Sequence, residues 1–137
     1  MYKGDMSGFT DDQGCFVCGS RNQQGLHLEF SYAPESGEAT AEVAFPPHLQ
    51  GWSGLTHGGL LATVLDEAMI KAAAGRGWKC VTRQMTVSYL RPVPTVARYH
   101  LRGTVVRERG KLVLAESALL DGQQRVVGSA RGKLFKV

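Results

Sequence analysis

One group of residues in this chain is suited to acyl chemistry: His57-Gly58-Gly59, followed nine residues after the histidine by Asp66. Two residues without side chains at the start of a helix leave backbone N–H groups open, where the positive end of the helix dipole also points. Such donors hold a carbonyl oxygen and stabilise the charge it gains when attacked. A carboxylate set among apolar groups activates water as a general base, or attacks as a nucleophile. Each half also has a plain structural reading. Glycines serve tight turns and close packing, and an aspartate can reach solvent or bond to a nearby hydroxyl.

The elements that must position these groups follow from periodicity. Leu26-His27-Leu28-Glu29-Phe30-Ser31-Tyr32 alternates apolar and polar, as a half-buried strand does, and Pro34-Glu35-Ser36-Gly37 is turn chemistry. Glu38 to Phe45 alternates again, with Ala39, Ala41, Val43 and Phe45 on the inner face, until Pro46-Pro47 ends it. The stretch from His48 to Thr56 reads as a loop. A helix is expected over Gly58–Ala74, with Thr56 as N-cap and Gly75 as stop. Strands are expected near Val81–Leu90, Val96–Arg107, Leu112–Leu120 and Gln124–Phe135, with Asp121-Gly122 as a hairpin signal. Two strands, one long helix and four strands make an α+β layout, with an antiparallel sheet packed on one face by the helix. The 137 residues are expected to form a single domain over 1–137, with 1–14 a loose N-terminal segment.

The helix is apolar over more than half its circumference, through Leu60, Leu61, Val64, Leu65, Ala68, Met69, Ala72 and Ala73, so it is expected to be buried. Its polar residues then need separate reasons. Glu67 has Lys71 one turn on and is expected to mark a wet edge. Asp66 has Ala62, Thr63, Met69 and Ile70 as its neighbours and no cation among them. A carboxylate there is costly unless something uses it.

Other features exclude function classes. Hydrophobic residues make up 43% and charged residues 20%, an ordinary globular composition, and no apolar run reaches the roughly 20 residues of a membrane span. Met1 to Thr10 is polar, without the apolar core of a signal peptide. Three cysteines supply no disulfide framework and suit a reducing, cytoplasmic setting. Cys15 and Cys18 form a C-x-x-C, but zinc usually takes four ligands and no second pair follows. A structural turn beneath Gly19 is the favoured reading, with Cys80, His27 or His48 as the residues able to complete a metal site. Residues 1–75 carry three basic and nine acidic groups, residues 76–137 thirteen and three. That basic half suits solvent or a phosphorylated small molecule. It lacks the helix-turn-helix, finger or aromatic platform of a nucleic-acid binder. No nucleophile elbow, phosphate-binding loop or dinucleotide fingerprint occurs.

His57-Gly58-Gly59 with Asp66, in this order of elements, resembles the PaaI-like hotdog acyl-CoA thioesterases. So do Cys15-Phe16-Val17-Cys18-Gly19, Asn22, Gly25-Leu26, Val81-Thr82 and Tyr89-Leu90-Arg91-Pro92. The resemblance spans about Cys15 to Phe135. It implies the hotdog fold, about six antiparallel strands wrapped around one central helix, and hydrolysis of an acyl-CoA without metal or other cofactor. By position it implies that the Gly58 N–H polarises the thioester carbonyl, that Asp66 is base or nucleophile, and that Thr82 helps hold the water. His57 would fix the entry turn and Gly59 would lie against substrate. Because Asp66 points roughly opposite to His57 on the helical wheel, it also implies a homodimer with composite sites, or a tetramer of such dimers.

The chain departs from relatives in the loop before His57, where Gly51-Trp52-Ser53 stands in place of an Asn or Gln, with Gln50 nearby. Glu67 is a lesser rival to Asp66. Arg83 and Arg91 are candidates for the phosphates of CoA. Two other readings stay open: an acyl-CoA-binding module without catalysis, and a zinc or nucleic-acid adaptor built around Cys15 and Cys18.

Overall fold

The computed structural model describes residues 9–137. Of the N-terminal segment expected to be loose, residues 1–8 lie outside that range. Gln13 and Gly14 are pinned, the first by the Arg21 N–H on its carbonyl, the second by the Asn22 side chain.

Six strands and one long helix follow in chain order. They are β1 (Ser31–Tyr32), β2 (Ala39–Ala44), α1 (Gly58–Ala74), β3 (Cys80–Tyr89), β4 (Arg98–Arg109), β5 (Leu112–Leu120) and β6 (Val126–Lys136). The strands make one antiparallel sheet in the order β1-β2-β4-β5-β6-β3, and α1 packs across its inner face from β2 to β3. The α+β layout expected from periodicity is the one found. Ala39, Ala41, Val43 and Phe45 are all buried, as their alternation requires.

Two expectations need correction. The first strand is short: Leu26 and Leu28 donate their N–H groups to Phe16 and Val17 carbonyls instead of to the sheet, and His27 takes a positive φ of 53°. The alternation there reflects packing against the Cys15–Gly19 loop. The cap of α1 is His57, not Thr56. The Thr56 N–H is held by the Val93 carbonyl at 2.8 Å, which keeps that residue in the preceding loop.

The helix sits deep because the sheet makes room for it. Leu61, Val64, Leu65, Ala68 and Met69 are buried, each larger side chain contributing about 2 kcal/mol through burial. At Gly103 in β4 an added Cβ would run into the Ala68 carbonyl, and at Gly132 in β6 into the Met69 side chain. Gly103→Ala therefore forces helix and sheet apart. A loss of about 3 kcal/mol is expected, read as a lowered denaturation midpoint.

A bulge in β3 decides which side chains face the helix. Thr82 pairs with Leu134 and Gln84 with Lys133, so Arg83 is the extra, unpaired residue. Met85 and Val87 point to the core below it, and Cys80 does so above it, although strict alternation would put 80 and 85 on opposite faces. The bulge restores phase and turns Thr82 inward.

Candidate active site

Asp66 lies eight residues into α1 and is half-buried. Its Oδ1 accepts a hydrogen bond of 2.5 Å from the Thr82 hydroxyl, across from the bulged strand. Among the described residues no cation pairs with it. Burial raises its pKa above the usual aspartate range, and the Thr82 hydrogen bond only partly opposes that.

The other half of the chemistry lies at the start of the same helix. His57 Nδ1 accepts the Gly59 N–H at 2.9 Å, so that amide is taken up by the cap. The Gly58 N–H has no acceptor among the described residues. Tyr89 fixes this turn, donating its hydroxyl to the Gly58 carbonyl at 3.0 Å, with its ring 3.3 Å from where a Gly58 Cβ would stand. Sequence reading placed Tyr89 only inside the run Tyr89-Leu90-Arg91-Pro92 and gave it no role.

An open cleft of about 360 Å³ adjoins the helix tip, lined by Trp52, Thr56, Gly58, Tyr89, Arg91 and apolar neighbours. Thr56 is buried, yet its hydroxyl has no protein partner among the described residues. Trp52 is 85% exposed, an uncommon cost for an indole without a ligand or partner.

The remaining candidates fall as follows. Gln50 uses its side-chain oxygen on the Gly54 N–H at 2.9 Å, which shapes the loop. Arg83 and Arg91 are both exposed, Arg83 at the bulge beside Thr82 and Arg91 at the cleft. Glu67 does not mark a wet edge: its ion pair with Lys71 forms at 4.0 Å, but only 14% of its side chain is exposed. The loop carrying Cys15 and Cys18 covers it.

Within one chain, Gly58 and Asp66 are separated along the helix by about 12 Å, at 1.5 Å per residue. A thioester carbonyl and its attacking water lie within about 3 Å of each other. The Gly58 amide and the Asp66 carboxylate of one chain therefore cannot serve the same carbonyl.

An antiparallel sheet wrapped around one long helix is the arrangement of the hotdog fold class. The Thioesterase superfamily pattern matches residues 53–127, more than half of the chain, and the chain belongs to that superfamily. It is 26% identical over 118 residues to acyl-coenzyme A thioesterase THEM4 of Bos taurus, covering 84% of this chain and 48% of that protein. The chain thus spans about half the length of the curated relatives it matches. Its fold is that of the Escherichia coli PaaI protein from the phenylacetic acid degradation operon, with a TM-score of 0.75 at 20% identity, over 82% of this chain and 80% of that one. The Streptococcus mutans protein smu.793, solved bound to acetyl-CoA, aligns with a TM-score of 0.74 at 18% identity, over 80% of this chain and 88% of that one.

Proposed function

We propose that this chain hydrolyses an acyl-CoA thioester to the free acid and CoA. The observation that carries the reading is Asp66: half-buried, without a cation among the described residues, and held by the Thr82 hydroxyl. In the reaction Asp66 takes a proton from a water that Thr82 helps to orient, and the water oxygen attacks the carbonyl carbon. The Gly58 N–H receives the developing oxyanion, and collapse expels CoA as its thiolate.

The two halves of each site come from different protomers. Two features support this: the 12 Å offset within one chain, and β3 lying at the sheet margin with one edge unpaired within the chain. Two copies joined antiparallel along β3 form a continuous sheet and bring each helix tip toward the partner's acid, making an isologous homodimer. Further pairing of dimers into a tetramer is compatible with this arrangement.

Thr56 offers its hydroxyl to the bound substrate, and Arg91, with Arg83 as a second cation, receives CoA phosphates. His57 orients the tip; Gly59 contributes close approach while its amide serves the cap. The thioester relatives and the acetyl-CoA-bound neighbour support CoA as carrier. No helix among the described residues is long and apolar enough to cross a membrane. The three free, partly buried thiols fit a reducing compartment, and we place the chain in the cytoplasm.

The test is thiol release from short, medium, long and aromatic acyl-CoAs by the purified protein. Turnover of at least one class above the buffer rate is expected. No turnover of any of them, under conditions where the protein is folded, overturns the reading.

A further inference from the structure

The fold brings together a second group of side chains that the proposed hydrolysis does not use. Cys15, Cys18 and Glu67 each offer one ligand atom, and these atoms all lie within 4.8 Å of one another. Glu67 stands 49 residues from the cysteine pair in sequence, on the helix, and Cys15 Sγ is 3.6 Å from its Oε2. We propose that Cys15, Cys18 and Glu67 bind a borderline-soft divalent cation, zinc by preference, which staples the N-terminal loop to α1 beside the acid-bearing turn.

Three structural observations support the site. The first is the form of the loop. The Val17 N–H donates to Cys15 Sγ at 3.4 Å, and the Gly19 N–H closes the turn on the Cys15 carbonyl at 2.7 Å. A backbone donor on sulfur stabilises the thiolate that a metal needs. Gly19 has no room for a side chain, because a Cβ there would strike the backbone of Gln13 and Cys15. The loop is therefore held in the shape that sets both sulfurs on one side.

The second is distance. Zinc–thiolate bonds of about 2.3 Å in a tetrahedron put sulfurs about 3.8 Å apart, so closing on an ion needs movements of about 1 Å. Side-chain rotation supplies that.

The third is charge. Two thiolates and a carboxylate around a divalent ion leave one negative charge, and the Lys71 ammonium stands 4.0 Å from Glu67 to balance it. The ligand count is three, which leaves one position for water. His27, His48 and Cys80, the residues that sequence reasoning offered as completing ligands, are not in the cluster.

The test needs no thioesterase assay. Protein grown with zinc and kept reduced is analysed for metal, then stripped and titrated with Co²⁺. About one zinc per chain is expected, with a cobalt–thiolate absorption band on titration and a denaturation midpoint about 5 °C lower after stripping. Cys18→Ser and Glu67→Gln should weaken Co²⁺ binding at least tenfold, while Asp66→Asn leaves it unchanged. The inference is overturned if the reduced wild-type chain takes up neither zinc nor cobalt. It is also overturned if metal binding survives both substitutions, or if the pair is isolated as a disulfide and binds no metal once reduced.

Discussion

Asp66→Asn lowers kcat on the preferred acyl-CoA by roughly 10²–10⁴-fold, the range a positioned general base contributes, while the protein stays folded and binds substrate. The amide oxygen of Asn still accepts the Thr82 hydroxyl, so the hydrogen bond at this position is kept. What is lost is the proton acceptor. Stability should move the other way. Burial raises the acid's pKa, so at neutral pH the folded chain bears the cost of an ionised group with no counter-charge among the described residues. The neutral amide removes that cost, and the denaturation midpoint is expected to hold or rise. Loss of turnover with stability retained is the sign of a group kept for function. Unchanged turnover would remove Asp66 from the chemistry and pass the role of base to another acid, Glu67 being its rival on the same helix. Kinetics and thermal denaturation on the same preparation decide it.

Gly58→Pro should be nearly as damaging, for a different reason. Proline lacks the N–H, and position 58 is the first residue of α1, where a helix tolerates proline best. The preceding residue, His57, already has the extended conformation that proline imposes, with φ −60° and ψ 134°. The ring must still displace Tyr89 slightly; that residue is 55% exposed and has room to shift, at the cost of loosening its hydrogen bond to the Gly58 carbonyl. The substitution therefore deletes one oxyanion donor and weakens one hydrogen bond of the turn. A fall in kcat of about 10²–10³ is expected, with circular dichroism unchanged.

The two variants together also test the shared site. Co-refolded at equal amounts, an Asp66→Asn chain and a Gly58→Pro chain form mixed dimers in which one site holds both intact halves. Random pairing gives about a quarter of wild-type turnover. If each chain instead holds a whole site, the mixture stays as inactive as its parts.

Much of this arrangement was legible in the residues. The bounds of α1 were readable because an apolar period stops at Gly75 and starts at a pair of glycines. Gly75 ends the helix in ordinary αR geometry, its missing side chain making room for Tyr32 and the Gly37 carbonyl. The inner face of β2 and the Asp121-Gly122 turn were equally plain. The isolation of Asp66 from any cation was visible on the helical wheel.

Other parts depended on contacts that spacing does not encode. Thr56 was the expected cap because hydroxyls rank high in that role, but a histidine ring nitrogen reached the same amide first. Glu67 looked solvent-facing because its nearest neighbour along the helix is a lysine; the loop that covers it comes from 49 residues upstream. Thr82 was reached only through the family resemblance, since strict alternation from Met85 and Val87 turns residue 82 away from the helix.

The extra residue in β3 has an implication for how such proteins can change. It acts as a phase shifter: upstream and downstream of Arg83 the strand shows opposite parity to the helix. Losing or gaining one residue there would exchange the hydroxyl beside Asp66 for whatever stands next in line, without altering any residue of the reacting group itself. Chimeras joined across this strand should be aligned on the kink and not on the count of residues.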